Sequence, residues 1–208
     1  MTVWLKRGWA GVLLVATVAV PSWWAWHENY HYRNFRIVEP GVLYRSGQMS
    51  PRGLHRQWHE FGFGTVISLR ENDGMSERGG PSFWEQSWCA AQDIAFVRIP
   101  PRSWWTAEPE KQPPPAAAAV AEFLQVIHAP DRFPRPILLH CFAGTHRTGV
   151  FQAIWRMEVD RWSNAEAIAE LRRNGYDTLD SDTDVRDFLW RYVPTWQRPT
   201  GVGQAQGP

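Results

Sequence analysis

The sequence is poor in cysteine, carries almost no net charge and has no internal repeat, and each absence narrows what it can be. Two cysteines, Cys89 and Cys141, are too few for a disulfide framework or a cysteine-built metal site. A reversible bond between the two stays open on count alone. The 22 basic residues nearly balance the 21 acidic ones, leaving a formal charge of +1. No long basic run occurs, so nucleic-acid binding has no compositional support. Without its first thirty or so residues, the 208-residue chain is one ordinary domain, long enough for a proper core.

What is present is concentrated in one decapeptide, His140-Cys141-Phe142-Ala143-Gly144-Thr145-His146-Arg147-Thr148-Gly149. Before it, Pro136-Ile137-Leu138-Leu139 reads as a buried strand. After it, Val150 to Met157 reads as a helix. A strand, a tight loop and a helix N-terminus make an anion site, because free backbone N–H groups converge where the helix dipole favours negative charge. A thiol at a helix N-terminus beside a cation ionises more readily than a free one, and the thiolate is the nucleophile. Arg147 has the planar fork that holds a tetrahedral oxyanion. Gly144 permits a turn that a side chain would block. Thr148 is placed to donate its hydroxyl to the sulfur, and His140 to orient the loop. No partner residues support a metal role for His146, and nothing in the chain calls for a cofactor.

His-Cys-x-x-Gly-x-x-Arg-Thr-Gly resembles the signature of the cysteine-dependent protein tyrosine phosphatase superfamily. In size the chain is similar to the small dual-specificity-like phosphatases of bacteria. Tyr44-Arg45-Ser46-Gly47-Gln48 and the strand Thr65-Val66-Ile67-Ser68-Leu69-Arg70 match segments common in them. The resemblance implies a phosphoric monoester hydrolase, a tyrosine or dual-specificity protein phosphatase working through a phosphocysteine on Cys141. It also implies that Arg147 and the amides of Phe142, Ala143, Gly144, Thr145 and His146 bind phosphate, and that Thr148 assists hydrolysis. The expected partner is a phosphorylated protein or lipid. The alternatives are a phosphate-binding pseudophosphatase and a phospholipid or inositol phosphatase.

One departure from the resembling family stands out. Its general acid is an aspartate on a loop before the cysteine. Here that loop, Pro100 to Glu110, contains none. Glu108 is the best substitute, with Glu110 second. Arg45 and Arg70 are placed to add positive field near the phosphate or to pair with Glu71 or Asp73.

The N-terminus adds a different expectation. From Trp9 to Trp26 no charged residue occurs, close to the lower limit of about 17 residues for a bilayer span. Tryptophans flank the run and Lys6-Arg7 precede it, which predicts an N-in single-pass membrane anchor with the catalytic domain exported. The rival expectation is a cleaved signal segment and a secreted or periplasmic protein. The expected organisation is therefore anchor or signal 1–26, linker 27–36, phosphatase domain 37–193 and disordered tail 194–208. Turn chemistry predicts a hairpin about Pro40-Gly41 and helices over 51–60, 81–92, 116–128, 148–159, 164–174 (capped by Asn164) and 182–192. Strands at 65–69, 94–99 and 137–140 alternate with these helices. The expected fold class is α/β, a largely parallel central sheet flanked by helices, with a hydrophobic helix at the N-terminus.

Overall fold

The computed structural model describes residues 2–71, 81–108 and 110–198. A five-stranded mixed sheet runs in the order β1-β2-β5-β3-β4. Its strands are β1 (Arg36–Glu39), β2 (Leu43–Ser46), β3 (Thr65–Ser68), β4 (Ala95–Arg98) and β5 (Ile137–His140). The hairpin partner β1 is antiparallel to β2, turning at Pro40-Gly41 where Gly41 has φ +72°. The other pairings, β2 with β5, β5 with β3 and β3 with β4, are parallel. The apolar run 137–139 thus becomes the central strand, as its burial on both faces requires.

Alternation along the strands builds two cores. Leu43, Ile67, Ile137 and Leu139 face α4 (Ala116–Ile127), α5 (His146–Glu158), α6 (Asn164–Arg173) and α7 (Thr183–Arg191). Trp155 is fully buried in this layer, and Phe123 meets Phe151 edge-on at 5.2 Å. On the opposite face Tyr44, Val66 and Leu138 pack against Leu54 of α2 (Pro51–Phe61) and Cys89 of α3 (Pro81–Ala91). Caps set the helix ends much as the sequence predicts. Ser50 accepts from the Gly53 N–H to open α2, and Gly62 closes it in the left-handed region. Helix α6 departs by one residue: Ser163 is its N-cap, completing a reciprocal capping box with Glu166. Asn164 instead donates to the carbonyls of Leu189 and Tyr192, tying α6 to α7.

Three expectations are corrected. First, the membrane anchor fails, and with it the localisation built on it. Residues Thr2–His31 form a helix, α1, but among the described residues no helix is long and apolar enough to cross a membrane. The strongly apolar stretch ends at Val20, and Pro21, Ser22 and tryptophans follow. Second, residues 27–36 are not a free linker. His27 to His31 continue α1, whose end lies so close to α2 that a Cβ on Gly53 would stand 1.8 Å from the His31 carbonyl oxygen. Phe35 packs on Phe61 at 5.1 Å. Third, the chain beyond 194 continues in a 3₁₀ turn, Thr195–Gln197. Glu158 accepts from the Tyr192 hydroxyl and from Thr195, and the Trp196 indole donates to the Met157 carbonyl. The rest of the expected tail, 199–208, and the loop signals Asp73-Gly74 and Gly79-Gly80 lie outside the described residues.

Replacing Ser163 with Ala should lower unfolding free energy by about 1 kcal/mol, read from urea melts, because the first turn of α6 loses the hydroxyl that accepts from the Glu166 N–H, while the backbone N–H of residue 163 keeps its bond to the Glu166 carboxylate.

Candidate active site

The chain leaves the sheet at His140, at the carboxyl end of the central strand, and enters α5 at His146. The loop between them is held from behind by donors on three separate segments. The Gln48 N–H bonds the Phe142 carbonyl at 2.9 Å. The Asn34 amide bonds the Ala143 carbonyl at 2.9 Å. The Arg45 guanidinium bonds the Gly144 carbonyl and also Gln152. In a planar trans peptide the N–H points opposite to the C=O, so drawing three carbonyls outward turns the amides of Ala143, Gly144 and Thr145 inward. One of these inward amides is occupied: the Gly144 N–H donates to Cys141 Sγ at 3.2 Å.

Arg45 is only 2 % exposed. Burial holds its guanidinium down to about 10, Arg36 pushes the same way, and the Cys141 charge opposes both. It stays a cation at neutral pH and lies beneath the loop. Glycine is needed at two positions here. Gly144 has φ +80°, and a Cβ on it would stand 2.3 Å from the Gly47 nitrogen. A Cβ on Gly47 would stand 2.7 Å from the Phe142 carbonyl oxygen.

His140 sits under the nucleophile, with Nδ1 3.3 Å from the Cys141 carbonyl and Nε2 3.2 Å from a Glu85 carboxylate oxygen. Both side chains are buried. The Thr148 hydroxyl reaches the Ser46 carbonyl at 3.5 Å. No hydrogen bond from it to Cys141 is present among the described residues. Phe142 is exposed between the guanidinium groups of Arg33 and Arg70, at 4.0 and 5.3 Å from its ring centroid.

Arg147 donates to the Leu69 carbonyl at 3.2 Å and has the Glu71 carboxylate 3.7 Å away. It lines a cleft of about 740 Å³ with Glu71, Pro100, Pro101, Arg102, Ser103 and Trp104. A second cleft on its other side holds His146, Tyr176, Asp182 and Asp184, with Trp104 as the shared wall. The His146 ring meets Tyr176 edge-on at 4.7 Å.

A family model described as "DSP-PTPase phosphatase fused to NAD+ kinase" matches residues 18–187. The chain belongs to this dual-specificity-like branch of the protein tyrosine phosphatases. Among curated relatives, the dual specificity protein phosphatase TpbA of Pseudomonas aeruginosa strain UCBPP-PA14 is 33 % identical over 102 residues. That match covers 46 % of this chain and 47 % of TpbA, so it spans about half the length of the relative. The core catalytic domain of the PP-IP phosphatase SIW14 from S. cerevisiae shares the fold, with a TM-score of 0.59 at 19 % identity over 78 % of this chain and 87 % of that one. A P. aeruginosa TpbA variant in complex with pTyr gives a TM-score of 0.55 at 22 % identity over 76 % of this chain and 83 % of that one.

Within this phosphatase fold the predicted site residues separate. Cys141, the loop 142–146, Arg147 and His140 come together. Glu108 does not join them: it lines neither Arg147 cleft and pairs instead with Lys111 at 3.2 Å on the surface. Arg45 and Arg70 take Gly144 and Gln48 as partners, and it is Arg147 that meets Glu71. Asn34, Gln152, Glu85 and Glu71 were not singled out as site residues. The first lay in an apparent linker, and Glu85 was hidden in an aromatic helical run. Cys89 and Cys141 are both free thiols and belong to cores on opposite faces of the sheet.

Burial, with Glu85 adding, pushes the Cys89 thiol up to about 12. It is therefore protonated at pH 8, and iodoacetamide at that pH should label Cys141 and spare Cys89, read by peptide mass spectrometry. Gly47→Ala presses on loop backbone already fixed by three donors. It should cost about 1–3 kcal/mol of stability and weaken vanadate binding about tenfold or more, read by thermal melts and calorimetry.

Proposed function

We propose that the chain hydrolyses phosphomonoesters, with phosphotyrosine in proteins as the preferred substrate class, through a phosphocysteine on Cys141. The observation that carries this reading is the Gly144 N–H on Cys141 Sγ inside a loop whose Phe142, Ala143 and Gly144 carbonyls are held outward. Such a loop offers its amides, the α5 N-terminus and the Arg147 fork to one tetrahedral anion.

The reaction divides into two displacements. Arg147 and the loop amides of residues 142–146 hold the phosphoryl oxygens. The Cys141 sulfur attacks phosphorus, the S–P bond forms, and the ester P–O bond breaks as its oxygen takes a proton. Water then attacks the phosphocysteine, the P–S bond breaks, and inorganic phosphate leaves. His140 holds the Cys141 peptide, and Thr148, bonded to the Ser46 carbonyl, holds the loop against β2. Trp104, the wall common to both clefts, offers an aromatic surface to an aryl ester. Binding to a phosphorylated protein supplies the partner; the relationship to TpbA supports that choice over a lipid.

Cys141→Ser should abolish release of phosphate from a phosphotyrosine peptide while keeping peptide binding. Arg147→Ala should lower kcat/KM by about 10²–10³-fold, since it removes the donor aimed at the charge that develops on the phosphoryl oxygens. Both are read by phosphate release and by fluorescence polarisation of a labelled peptide. Binding by wild type without turnover under reducing conditions would replace this reading with that of a phosphate-binding module.

A further inference from the structure

The reaction just proposed needs a proton for the leaving oxygen, and the loop that should carry the acid does not bring one. Glu108 is turned to Lys111, and no other acid among the described residues of that loop lines an Arg147 cleft. A different carboxylate stands in the cleft. Glu71 follows the strand end Leu69-Arg70, on the side of Arg147 where Pro100 to Trp104 form the opposite wall. Its Oε1 lies 3.7 Å from the Arg147 guanidinium. Among the described residues no other carboxylate stands at ion-pair distance from Arg147. Its rivals in the neighbouring cleft are differently engaged. Asp182 accepts from the Thr178 hydroxyl at 2.9 Å, and Asp184 lies in the first turn of α7.

We propose that Glu71 is the proton donor to the leaving group, in place of the loop aspartate that this sequence lacks. The proposal rests on the phosphatase reading above. In the free protein Glu71 neutralises Arg147. A phosphate dianion that takes the Arg147 fork displaces Glu71 from its cation and leaves the carboxylate beside a second anion. Glu71 enters the reaction carrying a proton from solvent. As the Cys141 S–P bond forms and the ester P–O bond breaks, the Glu71 carboxyl gives that proton to the departing oxygen and becomes a carboxylate. In the second displacement the carboxylate takes a proton from the attacking water, which restores the acid. Over the cycle one ester and one water become one alcohol and one phosphate.

The test compares two aryl phosphates on the full chain. The phenolate of 2,4-dinitrophenyl phosphate leaves unaided, while phenyl phosphate needs a proton. Glu71→Gln should lower kcat/KM on phenyl phosphate by about 10²-fold and leave kcat/KM on the dinitrophenyl ester nearly unchanged, while kcat falls on both because water attack on the phosphocysteine is common to them. Glu71→Asp should recover part of the loss. Glu71 is exposed, with 61 % of its side chain accessible, so the variant should melt with wild type. An equal loss of kcat/KM on both esters, carried by raised KM, would overturn the proposal and leave Glu71 as a positioning residue for Arg147. So would a leaving-group-selective loss in Glu108→Gln or Asp184→Asn instead. If wild type hydrolyses neither ester, the phosphatase reading falls first and this one with it; if wild type is active and Glu71→Gln is indistinguishable from it, only this one falls.

Discussion

The structure depends on where three carbonyl groups point. Phe142, Ala143 and Gly144 would, left alone, scatter their peptide dipoles. Each is instead held outward by a donor from a different part of the chain: a backbone amide after β2, an asparagine before β1, and a buried arginine within β2. Planarity then gives the inward amides without further design. The cost is a desolvated guanidinium under the loop, offset by its bonds to Gly144 and Gln152 and by the negative charge it faces. The fold serves this arrangement. A central β5 flanked by parallel β2 and β3 is what puts the end of β2 beside the start of the loop.

Much of this was legible in the sequence because its signals are local. Pro51 behind Ser50, Gly62 after Phe61 and Pro40-Gly41 between apolar pairs mark ends and turns through backbone chemistry that no tertiary contact overrides. The decapeptide named its own loop and helix. What was not legible depended on contacts between distant segments. Asn164 and Ser163 are both good caps by type, and the choice was made by Glu166 and by the carbonyls of α7 that claim Asn164. Glu108 had the right residue type in the right stretch, yet Lys111 three residues on gave it a nearer partner.

The apolar N-terminal run shows the limit of composition alone. Tryptophan, alanine and proline count as non-charged, but they contribute little of the hydropathy that a bilayer selects, and the run shades into the polar end of α1. That end has a folded purpose. Gly53 lets His31 approach α2, and the His31 ring meets the Ser50 hydroxyl at 2.6 Å, which fixes the path of the chain through Arg33, Asn34 and Phe35.

The Asn34 contact has a consequence for what counts as the smallest self-sufficient piece of this protein. A fragment beginning at β1 would contain every strand, the nucleophile and its arginine, and would look complete by its core. It would nonetheless lack the donor for the Ala143 carbonyl, whose peptide partner is the amide on the sulfur. Freed of Asn34, that one peptide could rotate while the sheet stayed intact. The border of the working unit therefore falls ahead of the border of the folding unit, by the few residues that join the helix to the first strand.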